Sequence, residues 1–218
     1  FMYKANLNLR TCLRVLKPIA TFQAHDEKEL YNKVLAINWE QHLDLDSKFA
    51  THATTHSQVF THSKYASLLV KDGIADFFKN KYSKRPNVDP KDPDITINLH
   101  INKHTCTVSL DSSGESLHKR GYKSDTIIAP MNEVLAAGLI LLSGWNQMDS
   151  FHDPMCGSGT ILIEAALIAY NIPANIFRER FGFEGWKDFD LDLFEKIKDV
   201  SLDKEKDYKG KITGGDNF

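Results

Sequence analysis

The 218 residues are 42% hydrophobic and 26% charged, with a net charge of −2, which fits a globular chain of one or two domains. No run approaches a membrane span, no signal-peptide pattern opens the chain, and three widely spaced cysteines (Cys12, Cys106, Cys156) make neither a zinc pattern nor a disulfide framework. A reducing, cytoplasmic setting is expected. Residues 1–123 carry a charge of +5 and residues 124–218 a charge of −7. The front half could meet a polyanion, although a surplus of that size is also ordinary surface charge. The first residue is Phe1 and the second leads straight into an element-like segment, so a fragment of a longer chain is expected.

In chain order, "DEKELYNKVLAIN" (26–38) places Leu30, Val34 and Ile37 at helical spacing, with Asp26 as the cap. Residues 48–54 read as a short strand. "THSKYASLLVKDGIADFFKNK" (61–81) reads as a second helix with Tyr65, Leu68, Leu69, Ile74, Phe77 and Phe78 on its apolar side, and the three prolines of "RPNVDPKDPD" (85–94) demand irregular chain. "DITINLHI" alternates, with Ile95, Ile97, Leu99 and Ile101 on one face, and "TCTVSLD" alternates again after a short turn, so a β-hairpin is expected. Residues 26–111 thus read as an α+β unit. "SSGESLHKRGYKSD" (112–125) reads as a polar linker, and the helix from Ala129 is apolar almost all round and expected to be buried. A glycine turn follows, then a helix to about Tyr170, an irregular aromatic segment over 171–190, a short amphipathic helix in "LDLFEKIKDV", and a strand in "KGKITGGDNF" ending near an acid.

The glycine turn, "FHDPMCGSGTILIEAA" (151–166), carries the chemistry. A phosphate-binding loop needs a Lys-Ser/Thr pair after its second glycine, which "GSGTIL" lacks, and a dinucleotide fingerprint needs a third glycine where Leu162 stands. Asp153, four residues before Gly157, would repel a pyrophosphate but suits an ammonium or ribose hydroxyls. S-adenosylmethionine offers both, has no phosphate, and could approach the backbone closely over the glycines. The alternative is a plain tight turn between strand and helix.

"DPMCGSGT" resembles the first motif of class I S-adenosylmethionine-dependent methyltransferases, in the form carried by RNA guanine-N2 methyltransferases with a THUMP domain, and is most similar to the bacterial 23S rRNA group. "LNLRTCLRVL" (7–16), "RPNVDPKDPDITINLHI", "LDSSGESLHKRGYKSDTIIAPMNEVLAAGLI" and "RFGFEGWKDFD" are similar to other segments of that family. The resemblance implies an α/β and α+β chain. Residues 1–19 would be a connector from a ferredoxin-like piece, 20–115 a THUMP-like RNA-binding domain, 116–128 a linker, and 129–218 the first part of a doubly wound Rossmann-like domain. Asp153, Pro154, Cys156, Gly157, Ser158, Gly159 and Thr160 would form the cofactor loop. Asp216 would hold the ribose hydroxyls, and Asn132 and Glu133 would close over the methionine end.

Two departures stand out. The gap from Asp153 to Asp216 far exceeds the roughly 20 residues of a plain unit, which an insertion over 171–208 explains. The family's Asn-Pro-Pro motif occurs nowhere in these residues, so the catalytic residues are expected beyond Phe218 and the chain alone is expected to be inactive. The reaction implied is transfer of a methyl group to the exocyclic amine of a 23S rRNA guanine. The alternatives are methylation of tRNA guanine or DNA adenine, or an RNA-binding module with a methyltransferase remnant.

Of the remaining candidates, Cys156 as a nucleophile competes with a small residue packing the turn. His52, His56 and His62 lack partners at ligand spacing, so no metal is expected. Lys71, Lys79, Lys81, Lys84 and Arg85 cluster near a helix end, and Lys119, Arg120 and Lys123 in the linker; as sets they suit an RNA backbone, with Tyr122 to stack on a base. Phe177, Phe181, Phe183 and Trp186 are expected to form an apolar pad.

Overall fold

The computed structural model describes residues 1–123 and 131–216. In chain order the elements are α1 (Met2–Asn8), β1 (Leu16–Gln23), α2 (Glu27–Leu35), β2 (Lys48–His56), α3 (Ser63–Tyr82), β3 (Asn87–Val88), β4 (Ile95–Asn102), β5 (Thr105–Asp111), α4 (Glu133–Leu142), β6 (Phe151–Asp153), α5 (Thr160–Ala169), α6 (Leu191–Leu202) and β7 (Ile212–Gly214). They divide into two compact units. One holds Leu16–Gly114 with Gly182–Phe189; the other holds Phe1–Val15, Glu115–Phe181 and the residues from Asp190 on.

The first unit is α+β. Its five strands run in the order β1-β5-β4-β2-β3. β4 and β5 form the antiparallel hairpin foreseen from their alternation, and β4 also pairs in parallel with β2, from Phe49 opposite Ile95 to His56 opposite Asn102. Ile95, Ile97, Leu99 and Ile101 are all buried with Phe49 and Val108. β1, which straddles the expected boundary between connector and RNA-binding domain, is an edge strand on β5, and its ladder slips at Pro18, a residue that a sheet tolerates at an edge or bulge. Asp26 caps α2 by accepting from the Glu29 amide at 2.7 Å, while the Glu29 carboxylate accepts from the His25 amide at 2.8 Å. Gly182–Gly185 forms a 3-10 turn whose Phe183 is fully buried, and the Phe183 amide donates to the Ser112 carbonyl at 3.0 Å.

The second unit is α/β. β6 and β7 pair in parallel, and α5 packs on both as well as on α4. Ile140 of α4 meets Ala165 and Ile168 of α5, with Trp145, Phe151, Ile161 and Ile212 around them. α1 packs against α6 through the edge-on rings of Tyr3 and Phe194, 5.7 Å apart.

Four expectations change. The inward face of α3 is Ala66, Val70, Gly73, Ile74 and Phe78, whereas Tyr65 and Leu68 are exposed. Small residues face inward because α2 lies close: a Cβ on Gly73 would stand 2.8 Å from Val34 Cγ1. α4 buries only Glu133, Ala136, Ala137 and Ile140, leaving Leu135, Leu139 and Leu142 exposed among the described residues. The apolar pad excludes Phe177, which is exposed. The stretch from Ser112 to Arg120 is built into the units rather than solvated: Ser112, Ser113, Leu117 and Arg120 are buried. Residues 124–130, which hold the end of the expected linker and the expected start of the helix from Ala129, lie outside the described residues. Among the described residues no helix is long and apolar enough to cross a membrane.

Candidate functional site

β6 and β7 end side by side, with Asp153 opposite Gly214. The loops beyond them are laced together: the Gly215 amide donates to the Asp153 carbonyl at 2.9 Å and the Cys156 amide to the Gly215 carbonyl at 3.0 Å. Asp153 Oδ1 accepts from the Met155 amide at 3.1 Å, which shapes the descent into the turn. The Gly159 amide donates to the Cys156 carbonyl at 2.8 Å, and the Gly159 carbonyl takes the first bond of α5 from Ile163 at 2.9 Å. Ser158 Oγ and Thr160 Oγ1 lie 3.1 Å apart, with Thr160 buried as the first residue of the helix. Pro154 and Met155 are exposed.

The glycines show which side of the turn is free. Gly157 (φ 50°) and Gly159 (φ 73°) occupy the left-handed region, where a side chain is strained. Among the described residues, a Cβ on Gly159 would meet nothing within 4 Å, and one on Gly157 would reach only Asp216 Oδ2, at 4.0 Å. On the opposite side, a Cβ on Gly214 would stand 2.8 Å from Cys156 Sγ and against Leu162. Cys156 therefore packs under the turn, while the backbone of Gly157 and Gly159 stays uncovered beside Asp216. An uncovered backbone with the Asp216 carboxylate beside Gly157, on a turn that opens at Asp153, suits a ligand rich in hydrogen-bond donors or positive charge and lacking phosphate.

Asn132 and Glu133 lie at the start of α4. Asn132 Oδ1 caps the helix by accepting from the Leu135 amide at 3.1 Å, and the Glu133 carboxylate pairs with Lys123 at 2.8 Å. Lys123 also donates to the Met131 carbonyl at 3.2 Å. Both side chains thus have structural partners.

Arg120 corrects its sequence reading. It is 1% exposed, so its guanidinium does not face an RNA backbone. Nε lies 3.2 Å from Glu164 Oε1, Nη1 donates to the Leu117 carbonyl at 2.9 Å and to Asn175 Oδ1 at 3.0 Å, and Nη2 donates to the Arg10 carbonyl. Tyr122 donates its hydroxyl to Glu164 Oε1 at 3.0 Å. Burial pushes the Glu164 carboxyl above the usual range against the pull of Arg120, and burial beside Glu164 raises the Tyr122 hydroxyl as well. Sequence reasoning passed over Glu164, although a lone charge in the apolar run "TILIEAALIA" was a visible signal.

The other cations of the sequence reading lie on the surface, mostly beside carboxylates. Lys71 pairs with Asp72 at 2.7 Å, Arg85 with Asp76 at 2.7 Å, Lys81 with Glu40, and Lys119 with Glu115 at 2.6 Å. Lys84 is exposed.

Comparison with known proteins completes the description. Residues 24–111 match the THUMP domain, and residues 120–218 match the RMKL-like methyltransferase domain. The chain is 40% identical over 199 residues to the ribosomal RNA large subunit methyltransferase K/L of Syntrophotalea carbinolica, covering 89% of this chain and 28% of that protein. Among solved structures it is similar to a predicted N6-adenine-specific DNA methylase from Listeria monocytogenes, with 31% identity and a TM-score of 0.85 over 99% of this chain and 57% of that one. It is also similar to SMU.472, solved complexed with SAH, with 31% identity and a TM-score of 0.82 over 98% of this chain and 57% of that one. The chain spans little more than a quarter of that curated relative and just over half of these solved chains.

Proposed function

On a chain that carries a THUMP domain ahead of an RMKL-like methyltransferase domain, we propose that the turn from Asp153 to Thr160, with Asp216, binds S-adenosylmethionine, and that the protein methylates the exocyclic N2 of a guanine in 23S rRNA. The observation that carries the cofactor reading is the uncovered left-handed backbone at Gly157 and Gly159 beside Asp216. The bound cofactor supplies the methyl group. Asp216 accepts hydrogen bonds from its ribose hydroxyls, and Asp153 offers a carboxylate to its ammonium while holding the turn through the Met155 amide. Cys156 supports the turn from below and is not a nucleophile. Residues 20–115 are the RNA-binding part, and the target base leaves its stack to reach the methyltransferase part. Methylation of tRNA guanine or DNA adenine is the alternative.

Titration calorimetry with S-adenosylmethionine tests the pocket. Asp216→Ala is expected to weaken binding about 10- to 100-fold, the value of hydrogen bonds to a charged group, and Asp153→Ala to abolish it. Methyl-labelled cofactor incubated with the complete reading frame and 23S rRNA, tRNA or DNA tests the substrate, with label expected on rRNA guanine. Label on tRNA or DNA alone would keep the pocket and refute the substrate, and absence of cofactor binding by the wild type would refute the pocket.

A further inference from the structure

One end of the five-stranded sheet carries a second site. The end of β2 (His56), the turn that follows it (Ser57, Gln58, Val59) and the hairpin turn between β4 and β5 (Lys103, His104) line a cavity of about 600 Å³. The turns are tied together by backbone: the Lys103 amide donates to the His56 carbonyl at 2.8 Å, and the Ala24 amide to the His104 carbonyl at 2.9 Å. Lys103 sits at φ 56°, a left-handed corner at the tip of the hairpin. Ser57 Oγ accepts from the Val59 and Phe60 amides, at 3.2 Å and 3.3 Å.

Two of the lining residues, His56 and His104, carry flat, polar rings, and each has a second imidazole beside it outside the lining. His25 lies stacked on His104, with centroids 4.8 Å apart and planes 26° apart, and His100 stands 5.9 Å from His56. His104 Nδ1 is buried and has no hydrogen-bond partner among the described residues, so the stack on His25 is what orients the ring. Glu29 is engaged by His25 at 3.2 Å, and no carboxylate is among the described residues that line the cavity. The basic cluster read from sequence is different, since Lys71, Lys81 and Arg85 already face carboxylates in the same unit. A cation with a carboxylate at hydrogen-bond distance gains less from a phosphate than one without.

We infer that this histidine-lined cavity binds one nucleotide of single-stranded RNA, a base stacking against the imidazoles and its phosphate meeting the Lys103 ammonium. The inference rests on the proposed RNA substrate and localises its contact within the THUMP unit. Stacking on an aromatic ring with a backbone cation alongside is the general means by which unpaired nucleotides are held, and sequence-tolerant stacking matches the absence of a carboxylate reader. Ser57 and Gln58 supply hydroxyl and amide groups to the base edge.

The test is fluorescence anisotropy of the full chain with a labelled single-stranded RNA of mixed sequence. His56→Ala with His104→Ala is expected to weaken binding about tenfold or more. Lys103→Asn, which keeps a residue tolerant of the left-handed corner, is expected to weaken binding severalfold and to flatten its salt dependence. Lys84→Ala, in the competing basic cluster, is expected to weaken binding less than either cavity variant. Circular dichroism melting of each variant separates loss of contact from loss of fold. Wild-type binding that survives both cavity variants while falling in Lys84→Ala would overturn the cavity and leave the RNA reading standing. Absence of RNA binding by the wild type would overturn both. If the double variant melts early, Lys103→Asn decides alone: unchanged affinity and salt slope refute the site.

Discussion

The two units bury their interiors by different means. In the sheet unit the centre is apolar: Phe49, Ile97, Leu99 and Val108 have no exposure, and their strands pair along most of their length. In the glycine-turn unit the paired strands are three residues each, and the largest fully buried side chain is the Arg120 guanidinium. Arg120 joins the N-terminal segment through the Arg10 carbonyl, α5 through Glu164 and the inserted segment through Asn175. Apolar burial is divisible, each methyl contributing in proportion to its area. A buried ion pair is all or none, because removing one partner strands the other's charge.

That difference is open to attack by substitution. Arg120→Ala strands the Glu164 carboxylate and is expected to destabilise the glycine-turn unit by about 3–5 kcal/mol, read from urea unfolding. Arg120→Met combined with Glu164→Leu removes both charges and should recover most of the loss, since an apolar replacement of a whole pair is often neutral or better. A double variant as unstable as the single one would show that the contacts to Asn175 and the carbonyls, rather than the stranded charge, set the cost. In the sheet unit, Ile97→Val deletes one methylene from a closed apolar centre. It is expected to cost about 0.5–1.5 kcal/mol, with hydrogen exchange accelerating in β4 and β5 and not in α5. Exchange that rises equally in both units would end the comparison.

The same contrast explains what the sequence disclosed. Period-two alternation in "DITINLHI" located β4 and its buried face, because a half-buried strand writes its burial directly into its pattern. Asp26 announced α2 through cap chemistry that is local by nature. The glycine turn was legible for a related reason: Gly157 and Gly159 need positive φ, and few other residues supply it cheaply. Partnership across long separations was not legible. Arg120 and Lys119 are adjacent in a polar run, yet one is buried against Glu164, 44 residues on, and the other is exposed beside Glu115. Side-chain size misled on α3, where Tyr65 and Leu68 seemed the natural core and the close approach of α2 instead selected Ala66 and Gly73. Of the histidines at the hairpin tip only His56 was singled out, as a metal candidate, because His25, His56, His100 and His104 come together only when β1, β2 and the hairpin finish at the same end of the sheet.

The smallest expected effect concerns the sheet unit's own polar tie. Asp76 on α3 accepts from the Tyr31 hydroxyl of α2 at 2.8 Å and from Arg85 at 2.7 Å. The Tyr31 hydrogen bond, helped by Arg85, holds the Asp76 carboxyl below its ordinary value of 3.8. A carboxylate whose value is lowered by folding contributes stability that is present above the unfolded value and lost as pH falls through the folded one. Asp76→Asn keeps an oxygen that Tyr31 can donate to but removes the titrating charge. The stability difference between wild type and Asp76→Asn should therefore be constant above about pH 5 and shrink steadily below the unfolded value, with the wild type losing more on acidification. Urea midpoints at neutral pH and through the acid range measure it. A gap that persists undiminished into acid would assign the tie to the shape of the Tyr31 hydrogen bond and not to the charge of Asp76. The helices of the sheet unit would then be joined as its strands are, by contacts that do not depend on ionisation.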